Sequence, residues 1–207
     1  MSSTQLFLTH AVCYWGAVAW YMVKDYNTML MGKWHLKNNP TIKTPSNLLR
    51  AYYRGIKLSL VNMVISAMIL FLILRPPQGN VDIKKICMGW VASEIWAWCS
   101  HKAMHTKWLY KYHKQHHLNL DTIATSLDGH PIEHVIFNIG VVAVFVIVAG
   151  NPLPLVVMAF ATLSSVTSHS GYSWSLAHGI HHKIHNVNYG FGFYIMDRLT
   201  GTWQNSL

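Results

Sequence analysis

"LSLVNMVISAMILFLIL", residues 58–74, carries no charged side chain and stops at Arg75 and the helix breakers "PPQG". A spanning helix needs about 20 apolar residues, with a lower limit of roughly 17. In hydrocarbon a helix satisfies every backbone polar group within its own segment. This stretch therefore predicts a membrane helix. Residues 6–23, "LFLTHAVCYWGAVAWYMV", read the same way, and residues 86–99 read as a weaker span interrupted by Glu94. Residues 135–150 and 153–167 flank "GNP", a turn signal, and suggest a hairpin that enters and returns. The expected fold is all-α, an integral membrane protein with about four to five membrane-embedded helices.

Composition agrees. Of 207 residues, 52% are hydrophobic and only 11% charged, against roughly a quarter charged in soluble domains. The net charge of +9 is spread around apolar runs. It reads as a topology determinant, not as a nucleic-acid face. Three cysteines, Cys13, Cys87 and Cys99, sit in apolar segments without CxxC spacing. They suggest neither a disulfide framework nor a zinc finger. The N-terminal "MSSTQLFLTH" lacks the basic region of a cleaved signal peptide.

Lys24, Lys33, Lys37, Lys43, Arg50, Arg54 and Lys57 crowd the 24–57 connection, whereas 75–85 holds only Arg75, Lys84 and Lys85. The positive-inside rule puts 24–57 in the cytosol. Threading onward leaves 101–134 and 168–207 on that same face.

Those two segments hold most of the 14 histidines. His101 and His105 are one helical turn apart, and His113, His116 and His117 follow at i, i+3, i+4. No Gly or Pro lies between Gly89 and Gly129, so one long helix is expected to carry all five, within about 160° of its circumference. His178, His181 and His182 repeat H-x-x-H-H and span about 100°, with His185 inside that arc. Two facing racks of imidazole would enclose two metal ions. Only two Glu occur, Glu94 and Glu133, and neither starts an ExxH, so a carboxylate-bridged di-iron bundle is excluded. HExxH is absent too. The site is His-rich, and imidazole alone leaves Fe, Zn, Cu and Ni open. Lone histidines such as His10 and His35 read as interfacial or solvated.

The ordered motifs "HKAMH", "HKQHH", "GHPIEH", "HSGY", "HGIHH" and "NYGFGFYIMDRLTGT" resemble the fatty acid hydroxylase/sterol desaturase superfamily of membrane enzymes, over roughly residues 86 to 203. The resemblance implies ten metal ligands: His101, His105, His113, His116, His117, His130, His169, His178, His181 and His182. His185, His134 and Asp121 stand as extra ligands or supporting groups, and Asp197 and Arg198 as a structural clasp. Met196 replaces the family's usual Trp before that Asp. The cofactor implied is a pair of iron ions, with zinc as a substitute in purified material. The implied activity is O2-dependent hydroxylation of a membrane-lipid C–H bond, or desaturation at the same site. The implied partners are a lipid from the bilayer and a separate electron donor such as cytochrome b5 or a reductase, in the endoplasmic reticulum membrane. Residues 1–85 would then supply membrane helices and a basic cytosolic loop, and 86–207 the catalytic domain. A His-rich metal transporter would instead distribute its ligands along a path through the spans, whereas here they gather at helix ends.

Overall fold

The computed structural model describes residues 2–33, 42, 44–72, 80–118, 122–150, 155–172 and 176–206. Within these the chain is helical and without strands. His35 and Asp121 lie outside the described residues.

Helix α1, Ser3–Leu30, starts at a capping box in which Ser2 and Gln5 bond reciprocally. Helix α2, Pro45–Leu72, starts at a proline whose missing N–H costs nothing in a first turn. Thr44 Oγ1 accepts from the Asn47 N–H just before it. Most of the connection read as a basic loop is thus helix: α2 runs on through Arg50, Arg54 and Lys57 before its apolar stretch. Helices α1 and α2 share a core of Tyr14, Val18, Leu48, Tyr52 and Met63. Into it inserts a 3-10 turn, Ile123–Leu127.

A turn buried this way must find partners for its carbonyls. Tyr14 OH and Ser59 Oγ donate to the Ala124 carbonyl at 3.0 and 2.9 Å. Asn62 Nδ2 donates to the carbonyls of Leu127 and Gly129. Gly55 makes the approach fit, since a Cβ there would meet the Ala124 backbone at 2.9 Å. Nearer the histidines, the fully buried Asp25 accepts from Tyr52 OH and Tyr172 OH, both at 2.9 Å. One carboxylate so ties α1, α2 and the HSGY segment together.

Helix α3, Ile83–Met104, packs along a continuous run of helix formed by α5, Pro131–Glu133, a π-turn at His134–Ile139, and α6, Gly140–Ala149. Widening the helix frees carbonyls, and Trp96 Nε1 donates to that of Ile136 at 2.9 Å. Helix α7, Leu155–Thr167, packs on α1. The expected hairpin is therefore two helices that each lean on a different neighbour. Of its turn, Gly150 is described and takes a left-handed φ of 50°.

Among the described residues, three helices are long and apolar enough to cross a membrane: Ser3–Leu30, Pro45–Leu72 and Pro131–Ala149. Leu155–Thr167 is apolar but shorter. Helix α3 is long enough, but Ser93, Glu94, Ser100 and His101 dilute its hydropathy. Leu60, Val64, Met68 and Phe71 on α2 and Val12, Trp20 and Val23 on α1 face outward, exposed. Such bands are apolar surface that lipid covers. The chain is a membrane protein.

Candidate metal centre

Helix α3 does not continue through the histidines. It ends at Met104, and α4 begins at Tyr110. On one straight helix His101 and His117 would stand about 24 Å apart along the axis. The break closes that gap without Gly or Pro. His105 N bonds to the Lys102 carbonyl, and Thr106 Oγ1 donates to that of Ala103 at 2.7 Å. This tightened end turns the chain back, and α4, Tyr110–Leu118, lays His113 against His101.

Nine of the ten histidines expected as ligands gather in two groups. His101, His105, His113, His117 and His181 form one, and His116, His169, His178 and His182 the other, with all ligand atoms of a group within 4.8 Å of one another. The first and last histidines of each H-x-x-H-H stay together at i, i+4, while the middle one crosses over. His116 of α4 joins the pair from α8, Leu176–Ile184, and His181 of α8 joins the pair from α4.

The Nε2 atoms point inward. His101 and His113 are 3.1 Å apart at Nε2, His117 and His113 2.8 Å, and His105 and His181 3.1 Å. In the second group, His169 lies 3.1 Å from His116, His178 2.9 Å from His169, and His182 2.8 Å from His178. Ligand atoms this close together can share one ion, and the first group offers five of them and the second four.

The outer nitrogens decide the tautomers. His101 Nδ1 faces the Tyr189 carbonyl and His181 Nδ1 the Val187 carbonyl, both at 2.7 Å; His169 Nδ1 faces the Ser165 carbonyl at 3.1 Å. A carbonyl can only accept, so these Nδ1 atoms carry the proton and Nε2 presents its lone pair. His113 Nδ1 pairs with the buried Glu133 at 2.9 Å, a carboxylate–histidine arrangement that orients a ligand and raises its basicity. Burial first, then the neighbouring imidazoles, depress the pKa values: His105 falls to about 3 and His117 to about 2. Burial brings His169 to about 4 and holds His113, His116, His178, His181 and His182 well below the usual range. Neutral imidazoles with converging lone pairs are what a metal ion requires.

The remaining candidates belong to neither group. His130 joins neither group: its Nδ1 accepts from the Ile132 N–H at 3.1 Å, capping α5, and its ring lies 4.8 Å from that of Tyr112. His185 is exposed, with φ 67°, and donates from Nε2 to the His182 carbonyl, but its ring packs against the first group, 4.3 Å from that of His117. His134 bonds Ser66 Oγ at 2.8 Å, away from both groups. Asp197 is the clasp expected of it. Its carboxylate accepts from the N–H groups of Tyr189 and Gly190 and from Thr202 Oγ1, beside α9, Ile195–Thr200. Arg198 stacks on Trp203, 4.2 Å from the ring centre.

Asn188 has no role assigned from sequence, and Glu94 is weighed only as an acid near the histidines. Glu94, expected to interrupt a span, accepts from Trp90 Nε1 and from the N–H groups of Phe193 and Ile195. Asn188, buried at φ 53°, bonds the carbonyls of Ala177 and Gln204 and the Gln204 N–H. Together they fix the loop whose carbonyls hold His101 and His181. A carboxylate inside an apolar helix was the available signal for Glu94, since it demands donors.

A cavity of about 200 Å³ opens against both groups, lined by His101, His113, His116, His169 and His178. Small-molecule sites take this form, concave with a few convergent polar groups.

The fatty acid hydroxylase family model matches residues 86–202, and the chain belongs to that family. It is 30% identical to the very-long-chain aldehyde decarbonylase GL1-8 of Oryza sativa subsp. indica, over 61% of this chain and 54% of the relative. To GL1-9 of the same subspecies it is 27% identical, over 74% of this chain and 70% of the relative. To the human fatty acid hydroxylase domain-containing protein 2 it is 35% identical, over 61% and 40%. The chain thus spans about half the length of the first of these relatives. No solved structure matches.

Proposed function

We propose that this chain is a di-iron, O2-dependent oxidoreductase that hydroxylates a C–H bond of a membrane lipid. The observation that carries the reading is the pair of neutral, Nε2-converging histidine groups beside one cavity at the end of an apolar helical bundle. Iron held there would supply the two-electron activation of O2 that no side chain can. The chain's own part is to position and to exclude. The carbonyls of Tyr189, Val187 and Ser165, with Glu133, hold four imidazoles in one tautomer. Phe137 and Phe191 give the cavity an apolar wall for the substrate. The reaction balances as C–H plus O2, two electrons and two protons to C–OH and water. The electrons come from a separate donor such as cytochrome b5 or a reductase, on the cytosolic face of the endoplasmic reticulum membrane. Family membership supports a lipid oxygenase.

Expression of the intact chain and of a His116→Ala/His117→Ala variant in a eukaryotic host under 18O2, followed by whole-lipid mass spectrometry, tests this. A hydroxylated lipid carrying label only with the intact chain is the expected result. A new unlabelled lipid two hydrogens lighter would instead assign desaturation. A hydrocarbon one carbon shorter than a cellular aldehyde would assign the reaction for which the rice relatives are named. Identical lipid spectra, with a donor protein co-expressed, would overturn the oxygenase reading.

A further inference from the structure

The larger histidine group lies mostly out of reach of solvent. His101, His113, His117 and His181 are buried, and only His101 and His113 line the cavity that the smaller group faces. A metal site of this kind needs an entry path. His105 is the one member of the group that is partly exposed. Beside it stands the exposed ring of His185, 6.1 Å from that of His105 and 4.3 Å from that of His117. That last separation is no larger than those within the group, which are 4.5 Å for His113 and His117 and 4.9 Å for His105 and His117.

His185 closes α8, its N–H donating to the His181 carbonyl at 2.7 Å. Its φ of 67° is left-handed. That position after a helix usually holds Gly, sometimes Asn, because a Cβ is strained there. A larger side chain kept in such a conformation points to a use for it. The Nε2 proton rests on the His182 carbonyl at 2.9 Å. Nδ1 then carries a lone pair, and it has no hydrogen-bond partner among the described residues. The surroundings give a cation little other help. Residues 101–118 and 176–186 hold Lys102, Lys107, Lys111, Lys114 and Lys183 and no carboxylate. Those lysines repel a divalent ion, so its capture falls to a lone pair at the surface.

We propose that His185 is the entry ligand of the larger group: it takes a divalent metal ion from solvent through Nδ1 and passes it inward to His117 and His105. The inference rests on the metal-centre reading and names the route by which that centre fills. His185 is not among the five residues whose ligand atoms converge, so it serves an ion in transit and not at rest. An ion leaving it has little distance to cover before it meets His117. A transit ligand lowers the barrier in both directions. It therefore speeds entry and exit alike and leaves affinity unchanged.

Metal-exchange kinetics test this without turnover. Chelator-treated protein in detergent is mixed with cobalt(II) in a stopped-flow instrument, and the visible absorption of the bound ion is followed. Release into excess chelator is timed separately. The phase that persists in a His178→Ala background belongs to the larger group. His185→Asn keeps a residue that tolerates the left-handed turn and can donate to the His182 carbonyl, but it removes the imidazole. In that phase it should slow uptake and release alike by about tenfold, a typical step for a local change in an association rate, at equal final cobalt per chain. His185→Gly should behave the same way and excludes binding through the Asn amide. Unchanged rates with a shifted melting temperature would overturn the proposal and leave His185 as a helix cap. Faster release with weaker affinity would overturn it as well, by making His185 a resting ligand. An intact chain that binds no cobalt would remove the metal-centre reading and this inference with it.

Discussion

In the group of His101, His105, His113, His117 and His181, four of five side chains are buried; in the group of His116, His169, His178 and His182, two of four are. Three members of the larger group have an outer nitrogen on a carbonyl or carboxylate. In the smaller group His169 has such a partner, the Ser165 carbonyl. Three of the four smaller-group histidines line the cavity, against two of five in the larger. The difference teaches a division of labour. A group with many, braced donors holds an ion in place, and a group with fewer donors beside a cavity leaves room for a ligand from outside.

Protons should produce the largest effect. The imidazoles of both groups stay neutral when folded, to about 4 in His169 and about 3 in His105, while unfolded they titrate near 6.5. Between those limits the unfolded state binds more protons, so the metal-free protein loses stability as pH falls below 6.5 and is insensitive above about 7.5. Each such group adds a slope of about 1.4 kcal/mol per pH unit. Thermal melts in detergent with and without chelator check this. The metal-loaded form should resist acid to a lower pH, and equal acid sensitivity of the two forms would remove metal from the account.

Single ligand deletions sharpen the comparison. His178→Ala leaves three donors in the smaller group and should cost about half the bound metal. His105→Ala leaves four in the larger group and should keep most of it. Elemental analysis per chain separates these outcomes, and equal losses would erase the distinction between the groups. Glu133→Gln should have the smallest effect. It keeps the shape but exchanges the carboxyl facing His113 Nδ1 for an amide, and should weaken metal affinity by about 10- to 100-fold. A competition titration against a chelator reads that change, and the smaller group should keep its affinity.

Much of this was legible in the sequence. A charge-free run at 58–74 and i, i+4 histidine pairs are local patterns, and helices obey local rules. The length of α2 was not, because Arg50, Arg54 and Lys57 read as loop by charge while propensity and a proline start favour helix. The break at His105 has no Gly or Pro to announce it, and the approach of His113 to His101 across it is a tertiary contact. The exchange of His116 with His181 depends on how α4 and α8 face each other, which no spacing within one helix records. His130 shares its motif with Glu133, but only the turn shows that one caps a helix and the other holds a ligand. His10 read as interfacial, and its pairing with Thr162 of α7 appears only when the helices are assembled.

The crossed histidines also bear on how the protein is made. During synthesis His101 through His117 leave the ribosome long before His181 and His182. Because each group borrows a member from the other's helix, neither can be completed in advance. The smaller group, with His178 and His182 on α8, would therefore load late in biogenesis, whereas the larger group already has four of its five donors once His117 is made.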